Sequence, residues 1–187
     1  GTGATATSRR YLNVARPRWV AGGEVGTRDD RSCARRFHTQ TAGAMLTSQQ
    51  PDNNVVRVTI QALAAVLGGT QSLHTNGRDE ALSLPTADSA RLALRTQQIL
   101  ATETGVADVV DPLGGAPFIE QLTDELEAEV KALMAEVDER GGAVEAITPG
   151  FVQREIPTSA LAWQREVESG ARAGVAVNCY HSRGEPI

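Results

Sequence analysis

An α/β fold with parallel strands is predicted by three features of the sequence. Phe37-His38-Thr39-Gln40 and Leu73-His74-Thr75-Asn76 are near-copies whose histidines stand 36 residues apart. A third polar phrase, Asp111-Pro112 before Leu113-Gly114-Gly115, follows His74 after 37 more. A stretch of helical periodicity follows each of the three. A strand–helix unit has about this length, and in a parallel barrel the C-terminal end of every strand opens on one shared pocket. Amide, hydroxyl and imidazole groups gathered at those ends point to a polar ligand.

Taken in order, residues 1–23 are rich in Gly, Thr, Ala and Arg with no acid before Glu24; the composition is that of an organelle transit peptide, and a disordered or non-family extension or a truncated upstream helix is the preferred reading. A first strand is expected over Ala34–Thr39. Gln49-Gln50-Pro51-Asp52-Asn53-Asn54 reads as a helix start with Asp or Asn as the cap. Val55, Val58, Leu63, Val66 and Leu67 then supply the apolar positions of a helix that Gly68-Gly69 ends. Thr70–Thr75 is the second expected strand. Asp79-Glu80-Ala81-Leu82 makes a short helical turn. Thr86 caps a helix to about Glu103, with Ala90, Leu92, Ala93, Ile99 and Leu100 as its expected buried face.

Gly105 stops that helix, and Val106–Val110 is the third expected strand, followed by the turn at Asp111–Gly115. From about Phe118 to Arg140, Ile119, Leu122, Leu126, Val130, Leu133 and Val137 recur at three- and four-residue steps, so one stripe should face a core. The acids Glu120, Asp124, Glu125, Glu127, Glu129, Glu136, Asp138 and Glu139 are expected on a solvated face. A short helix near Ala143–Ile147, another near Thr158–Glu168 and a final strand Gly174–Asn178 complete the reading.

At 187 residues the chain can bury a real core. It is shorter than the about 250 residues of a closed (β/α)₈ barrel. Eighteen basic residues against 23 acidic ones leave a net charge of −5, with no basic stripe. Nucleic acid and anionic membrane are therefore not expected partners. Cys33 and Cys179 stand far apart, in no CxxC spacing, which favours a reducing, cytoplasmic setting. No apolar run approaches the ~20 residues needed to cross a bilayer.

Many short phrases now line up. Arg36-Phe37-His38-Thr39-Gln40-Thr41-Ala42-Gly43, Gln49-Gln50-Pro51 with Asn53-Asn54, Gly69-Thr70-Gln71-Ser72-Leu73-His74-Thr75-Asn76 and Asp79-Glu80-Ala81-Leu82 come first. Arg95-Thr96-Gln97-Gln98, Asp111-Pro112-Leu113-Gly114-Gly115, Gly150-Phe151 with Gln153-Arg154-Glu155-Ile156, Trp163-Gln164-Arg165-Glu166 and Val177-Asn178 follow. Together they resemble the large, substrate-binding subunit of adenosylcobalamin-dependent acyl-CoA mutases, the methylmalonyl-CoA mutase family. The resemblance runs from about Glu24 to Tyr180.

That resemblance implies a partial (β/α)₈ TIM barrel, its last βα units with C-terminal helices, over residues 24–187. It implies a radical carbon-skeleton rearrangement of a short branched acyl-CoA, with adenosylcobalamin over the strand C-termini. Gln40 and Gly43 would lie against the corrin, and Asn76, Glu80 and Ser83 would line the adenosyl side. The family's upstream strands, and the Asp-x-His-x-x-Gly phrase of its cobalamin domain, have no counterpart in these residues. Catalysis by this chain alone is therefore not expected, and a cobalamin-binding small subunit or the missing barrel part is the implied partner beside the acyl-CoA. The competing reading is a catalytically silent partial barrel or an interaction module.

Read from the residues themselves, His38 and His74 are candidates to line the substrate pocket at the strand tips. No close-spaced ligand pair supports a metal site. Glu80 also suits a helix start, and Asp111 before Pro112 suits a turn.

Overall fold

The structure, a computed structural model, describes residues 38–182. The extension expected at 1–23, Cys33 and the start of the first strand at 34–37 lie outside the described residues. The chain forms two compact units that divide after Glu127.

In the first unit, β1 (Thr39–Gln40) leads through a 3₁₀ turn (Gly43–Met45) to helix α1 (Asn53–Leu67), then to β2 (Leu73–His74) and α2 (Ala87–Glu103). The strands pair in parallel, Thr39 with Leu73 and Gln40 with His74. This is the expected α/β order of strand, helix, strand, helix. Thr39 N–H donates to Ser72 O at 2.9 Å and Thr41 N–H to His74 O at 3.1 Å. The Ser72 and His74 carbonyls thus face β1, and Leu73, between them, directs its carbonyl to the opposite edge.

Helix α1 buries Asn54, Val58, Ala62 and Ala65, one stripe at helical spacing. Its end is a Schellman closure: Gly69 N–H donates to Val66 O at 2.9 Å and Thr70 N–H to Ala65 O at 3.1 Å. The expected Asx cap does not form. Asp52 occupies the cap position with helical backbone and no capping hydrogen bond. Its carboxylate instead pairs with Arg78 at 2.5 Å.

Helix α2 is capped as expected, Thr86 Oγ1 accepting from Ser89 N–H at 3.2 Å. Its buried stripe is Ser89, Ala93, Thr96 and Leu100. Ala93 and Leu100 were anticipated; Ala90, Leu92 and Ile99 are exposed instead. The hydroxyls of Ser89 and Thr96 are buried because each finds an acceptor, Asp79 Oδ1 for Ser89 and Leu92 O for Thr96.

The third expected strand is absent. Val106–Asp108 is a 3₁₀ turn after Gly105, whose backbone is left-handed (φ 67°), and Val110 is 98 % exposed. A strand needs a ladder to join, and the Leu73 carbonyl on the outer edge of β2 is already taken by Gln97 Nε2 at 3.1 Å. Asp111 therefore sits in a turn, its carbonyl accepting from Gly114 N–H, rather than at a strand's end.

Helix α3 (Pro117–Glu139) matches the expected span. In the first unit it buries Thr123 and Glu127, the latter contrary to the solvated position expected for it. In the second unit its apolar stripe is uncovered: Val130, Leu133 and Met134 are about half exposed. Helices α4 (Ala143–Ile147) and α5 (Phe151–Glu168) follow. Helix α5 starts well before the expected Thr158 and carries Pro157 inside it. The buried Phe151 ring anchors that start, with the Arg140 guanidinium 4.0 Å above its centroid.

The last expected strand is a turn with a single bridge between Val175 and Cys179. Asn178 causes this: its amide donates to Val167 O and Arg172 O, and its Oδ1 accepts from Gly174 N–H. Backbone groups that a ladder would need are thereby captured locally. Among the described residues, no helix is long and apolar enough to cross a membrane.

The uncovered apolar positions carry a prediction. By light scattering the isolated chain should self-associate at micromolar concentration. L133E combined with I156E should reduce that association with little change in melting temperature, because both side chains are more than half exposed. A strictly monomeric wild-type chain would contradict it.

Candidate functional site

Alternation along the two strands sorts their side chains. His38 and Gln40 of the first, with Ser72, His74 and Asn76 of the second, share one face. Thr39, Thr41, Leu73 and Thr75 share the other. The second face turns to the helices. Thr70 Oγ1 donates to Thr39 Oγ1 at 2.7 Å, and the buried Thr75 hydroxyl donates to Ala93 O of α2 at 2.8 Å. Gln97 donates to Thr75 Oγ1 as well as to Leu73 O, which fixes the end of β2 against α2.

The first face holds the candidate residues. His38 Nδ1 lies 2.8 Å from Ser72 Oγ. One step further, Gln40 Nε2 donates to Asn76 Oδ1 at 2.9 Å. Asn76 is only 2 % exposed and also donates twice, its backbone N–H to Thr41 Oγ1 at 2.9 Å and its Nδ2 to Thr41 O at 3.0 Å. Asn76 thus fastens both strand tips together just past the ladder. His38, Gln40, His74 and Glu80 remain exposed.

Gly43 completes the cluster. A Cβ there would stand 3.1 Å from Asn76 Nδ2, 3.4 Å from Glu80 Cγ and 3.6 Å from Glu80 Oε1. The loop after β1 and the turn after β2 therefore meet at Gly43, and a larger residue would crowd the asparagine. Among the described residues the Glu80 carboxylate has no hydrogen-bond partner, so it stands available beside two amides. Ser83 is placed differently: its hydroxyl donates to Leu84 O within the exposed part of that turn. Of the residues expected to bind a cofactor, Gln40, Gly43, Asn76 and Glu80 converge.

The turn carrying Glu80 is held by its neighbour. Asp79 Oδ1 accepts from Ser89 Oγ at 2.6 Å and Oδ2 from Thr86 N–H at 3.1 Å. The Ser89 hydrogen bond, aided by the Thr86 amide, lowers the Asp79 pKa below the usual carboxylate range. Gly77 makes this possible, since a Cβ at that position would lie 2.7 Å from Asp79 Oδ1 and 2.8 Å from Ser89 Oγ. Thr41, Asp79 and Gln97 were not singled out from the sequence as site residues. The available signal was their place in the short phrases that carry the family resemblance, where Thr41 directly follows Gln40 and Asp79 directly precedes Glu80.

An apolar cleft of about 220 Å³ lies between Val66, Thr70–Leu73, Leu100 and Val106, toward the N-terminal end of β2. It includes none of the strand-tip residues. The cluster is a polar surface at one end of the sheet, and among the described residues no group of three His, Cys, Asp or Glu side chains is placed to hold a metal.

Two parallel strands followed by helices, with polar tips joined by an amide hydrogen bond, make this an α/β unit. Residues 12–187 match the family described as Methylmalonyl-CoA mutase, and the chain belongs to that family. It is 44% identical over 182 residues to the "2-hydroxyisobutanoyl-CoA mutase large subunit" of Aquincola tertiaricarbonis, covering 97% of this chain and 31% of that protein. It is 47% identical over 172 residues to the methylmalonyl-CoA mutase of Escherichia coli strain K12, covering 90% of this chain and 24% of that one. With the mitochondrial methylmalonyl-CoA mutase of Bos taurus it shares 44% identity over 158 residues, 84% of this chain and 21% of the relative. The chain spans about a third or less of the length of these relatives.

Because Asp79 is the more acidic in the folded state, it stabilises the fold above its unfolded pKa, and that contribution is lost as pH falls through the folded value. Asp79→Asn should lower the melting temperature at pH 7. The gap from wild type should start to narrow below about pH 4, where the unfolded carboxyl protonates, and close only once pH has fallen through the lower folded value. Thermal melts from pH 7 to pH 2.5 check this; a gap independent of pH would contradict it.

Proposed function

We propose that this chain is the C-terminal portion of the barrel of an adenosylcobalamin-dependent acyl-CoA mutase. In this reading it contributes part of the cofactor-facing wall to an isomerase acting on a short branched acyl-CoA of the methylmalonyl-CoA or succinyl-CoA type. The observation that carries the reading is the Gln40–Asn76 amide pair with the Glu80 carboxylate beside it, on strand tips of a chain in this family.

The donor set suits the group. A nucleoside presents vicinal hydroxyls, and a carboxylate flanked by carboxamides can accept and donate to them together. Gln40 and Gly43 would border the corrin, while Asn76 and Glu80, with Ser83 at the outer part of the turn, would face the adenosyl side. Adenosylcobalamin, when bound, supplies the radical chemistry. The chain's own residues hold and orient. Thr41 and Gln97 keep Asn76 and its strand fixed, and Asp79 keeps the Glu80 turn in place. His38 and His74, exposed on the same face, would border the acyl-CoA.

Several findings favour a division of labour in the assembled protein. The two strands span two residues each, and the apolar stripe of α3 in the second unit is uncovered. Relatives are about three to four times as long, and one is named a large subunit. We infer that the remaining barrel strands and a cobalamin-binding domain or small subunit complete the site. The cysteine pattern points to a cytoplasmic location. The same uncovered faces support the second reading, a silent partial barrel that serves as an interaction module.

Mixing separates the two. The chain alone should show no turnover of methylmalonyl-CoA. Combined with the upstream barrel portion and a cobalamin-binding subunit of a relative, it should bind adenosylcobalamin, followed by its visible absorbance. Glu80→Gln in that assembly should weaken binding roughly ten- to a hundredfold, the range for a hydrogen bond to a charged group. An assembly that forms but never binds the cofactor would establish the silent reading.

A further inference from the structure

We propose that Asn54, in the first turn of α1, is a positioning residue that sets the spacing between the Gly43 loop and the Glu80 turn. The assignment rests on the functional reading above for the purpose of that spacing, while the coupling itself stands on geometry. Asn54 is fully buried (0 % exposed) in a stripe otherwise made of Val58, Ala62 and Ala65. A carboxamide is costly there unless every polar atom is paired. All of its capacity is used. Oδ1 accepts from Thr47 N–H at 3.1 Å and from Arg57 Nη1 at 2.8 Å. Nδ2 donates to Thr47 O at 2.8 Å and to Arg78 O at 2.9 Å.

Those partners belong to the two segments that form the cluster. Thr47 closes the loop after β1, which is linked back to Gly43 by the Leu46 N–H to Gly43 O bond of 2.9 Å. Arg78 lies in the turn after β2, where Glu80 N–H donates to Gly77 O at 3.2 Å. Gly43 and Glu80 face each other, as the distances from a Cβ at Gly43 show. One side chain anchored in a helix thus ties together two segments that have to be held a fixed distance apart. The residue does not act as a cap, since none of these bonds goes to an N–H of its own helix. Asp52 with Arg78 adds an exposed ion pair across the same gap, which contributes little by comparison.

The test is residue-resolved amide hydrogen exchange on the full chain. In the wild type, Thr47 lies in no helix or strand, so its amide should be protected only through Asn54 Oδ1. N54D can donate to neither Thr47 O nor Arg78 O, but it retains an acceptor for Thr47 N–H and Arg57, so the loop keeps one bond to this side chain while the turn loses its only one. Exchange at Glu80, Leu82 and Ser83 should quicken roughly three- to tenfold, the worth of one such hydrogen bond, while Met45, Leu46 and the mid-helix amides of α2 hold. N54A should quicken both the loop and the turn. The proposal is overturned if wild-type Thr47 exchanges as a free amide, if N54D leaves the turn unchanged, or if it quickens all amides alike. Wild-type Thr47 protection is informative even where N54D folds poorly. In the reconstituted assembly N54D should also weaken adenosylcobalamin binding. A wild-type assembly that binds none would refute the cofactor reading and leave the exchange result to judge the coupling.

Discussion

Asn76 is the joint on which the rest of the first unit depends. It sits just beyond a parallel ladder only two residues long, where the backbone alone offers few hydrogen bonds. Its carboxamide and N–H add three bonds to Gln40 and Thr41 across that gap. Burial at 2 % exposure removes competing water, so each of these bonds is worth more than it would be at the surface. Without them the tips of β1 and β2 would lose their side-chain link to each other.

Around this joint the helices act as clamps. Thr75 and Gln97 secure the end of β2 to α2, Asp79 secures the following turn to the start of α2, and Asn54 secures both loops to α1. Each clamp is a polar side chain that leaves the local backbone of its own segment to satisfy another. Buried polar groups specify one arrangement because any shift leaves donors or acceptors without partners. That rigidity suits the ligand-orienting role proposed above. Gln40 and His74 are exposed together because they are paired across the ladder and side chains alternate along each strand.

Membership of the methylmalonyl-CoA mutase family agrees with this architecture, and the repeated phrases that suggested strand tips are the ones that meet. The second unit follows another logic. Its anchors are Phe151 beneath Arg140 and the Asn178-centred turn, while apolar residues along its helices remain uncovered. Such faces suit the larger assembly proposed above.

The sequence by itself determined the elements set by local chemistry. The Thr86 cap, the Gly68-Gly69 closure and the long α3 were legible because each rests on contacts within a few residues. The pairing of the two repeated phrases was legible too, through their spacing. Only the tertiary structure decided what depends on distant partners. Val106–Val110 has strand composition, yet Gln97 occupies the edge beside Leu73 and a 3₁₀ turn forms. Ser89 and Thr96 are buried where Leu92 and Ile99 were expected, because a satisfied hydroxyl costs little inside and helix rotation is set by the sheet beneath. Asn54 and Asp52 both read as helix caps, and each instead spends its side chain on Arg78, from a turn 24 or more residues away. Local propensity fixes which segments fold into helices, whereas hydrogen-bond partners far along the chain fix which residues they bury and where their polar groups point.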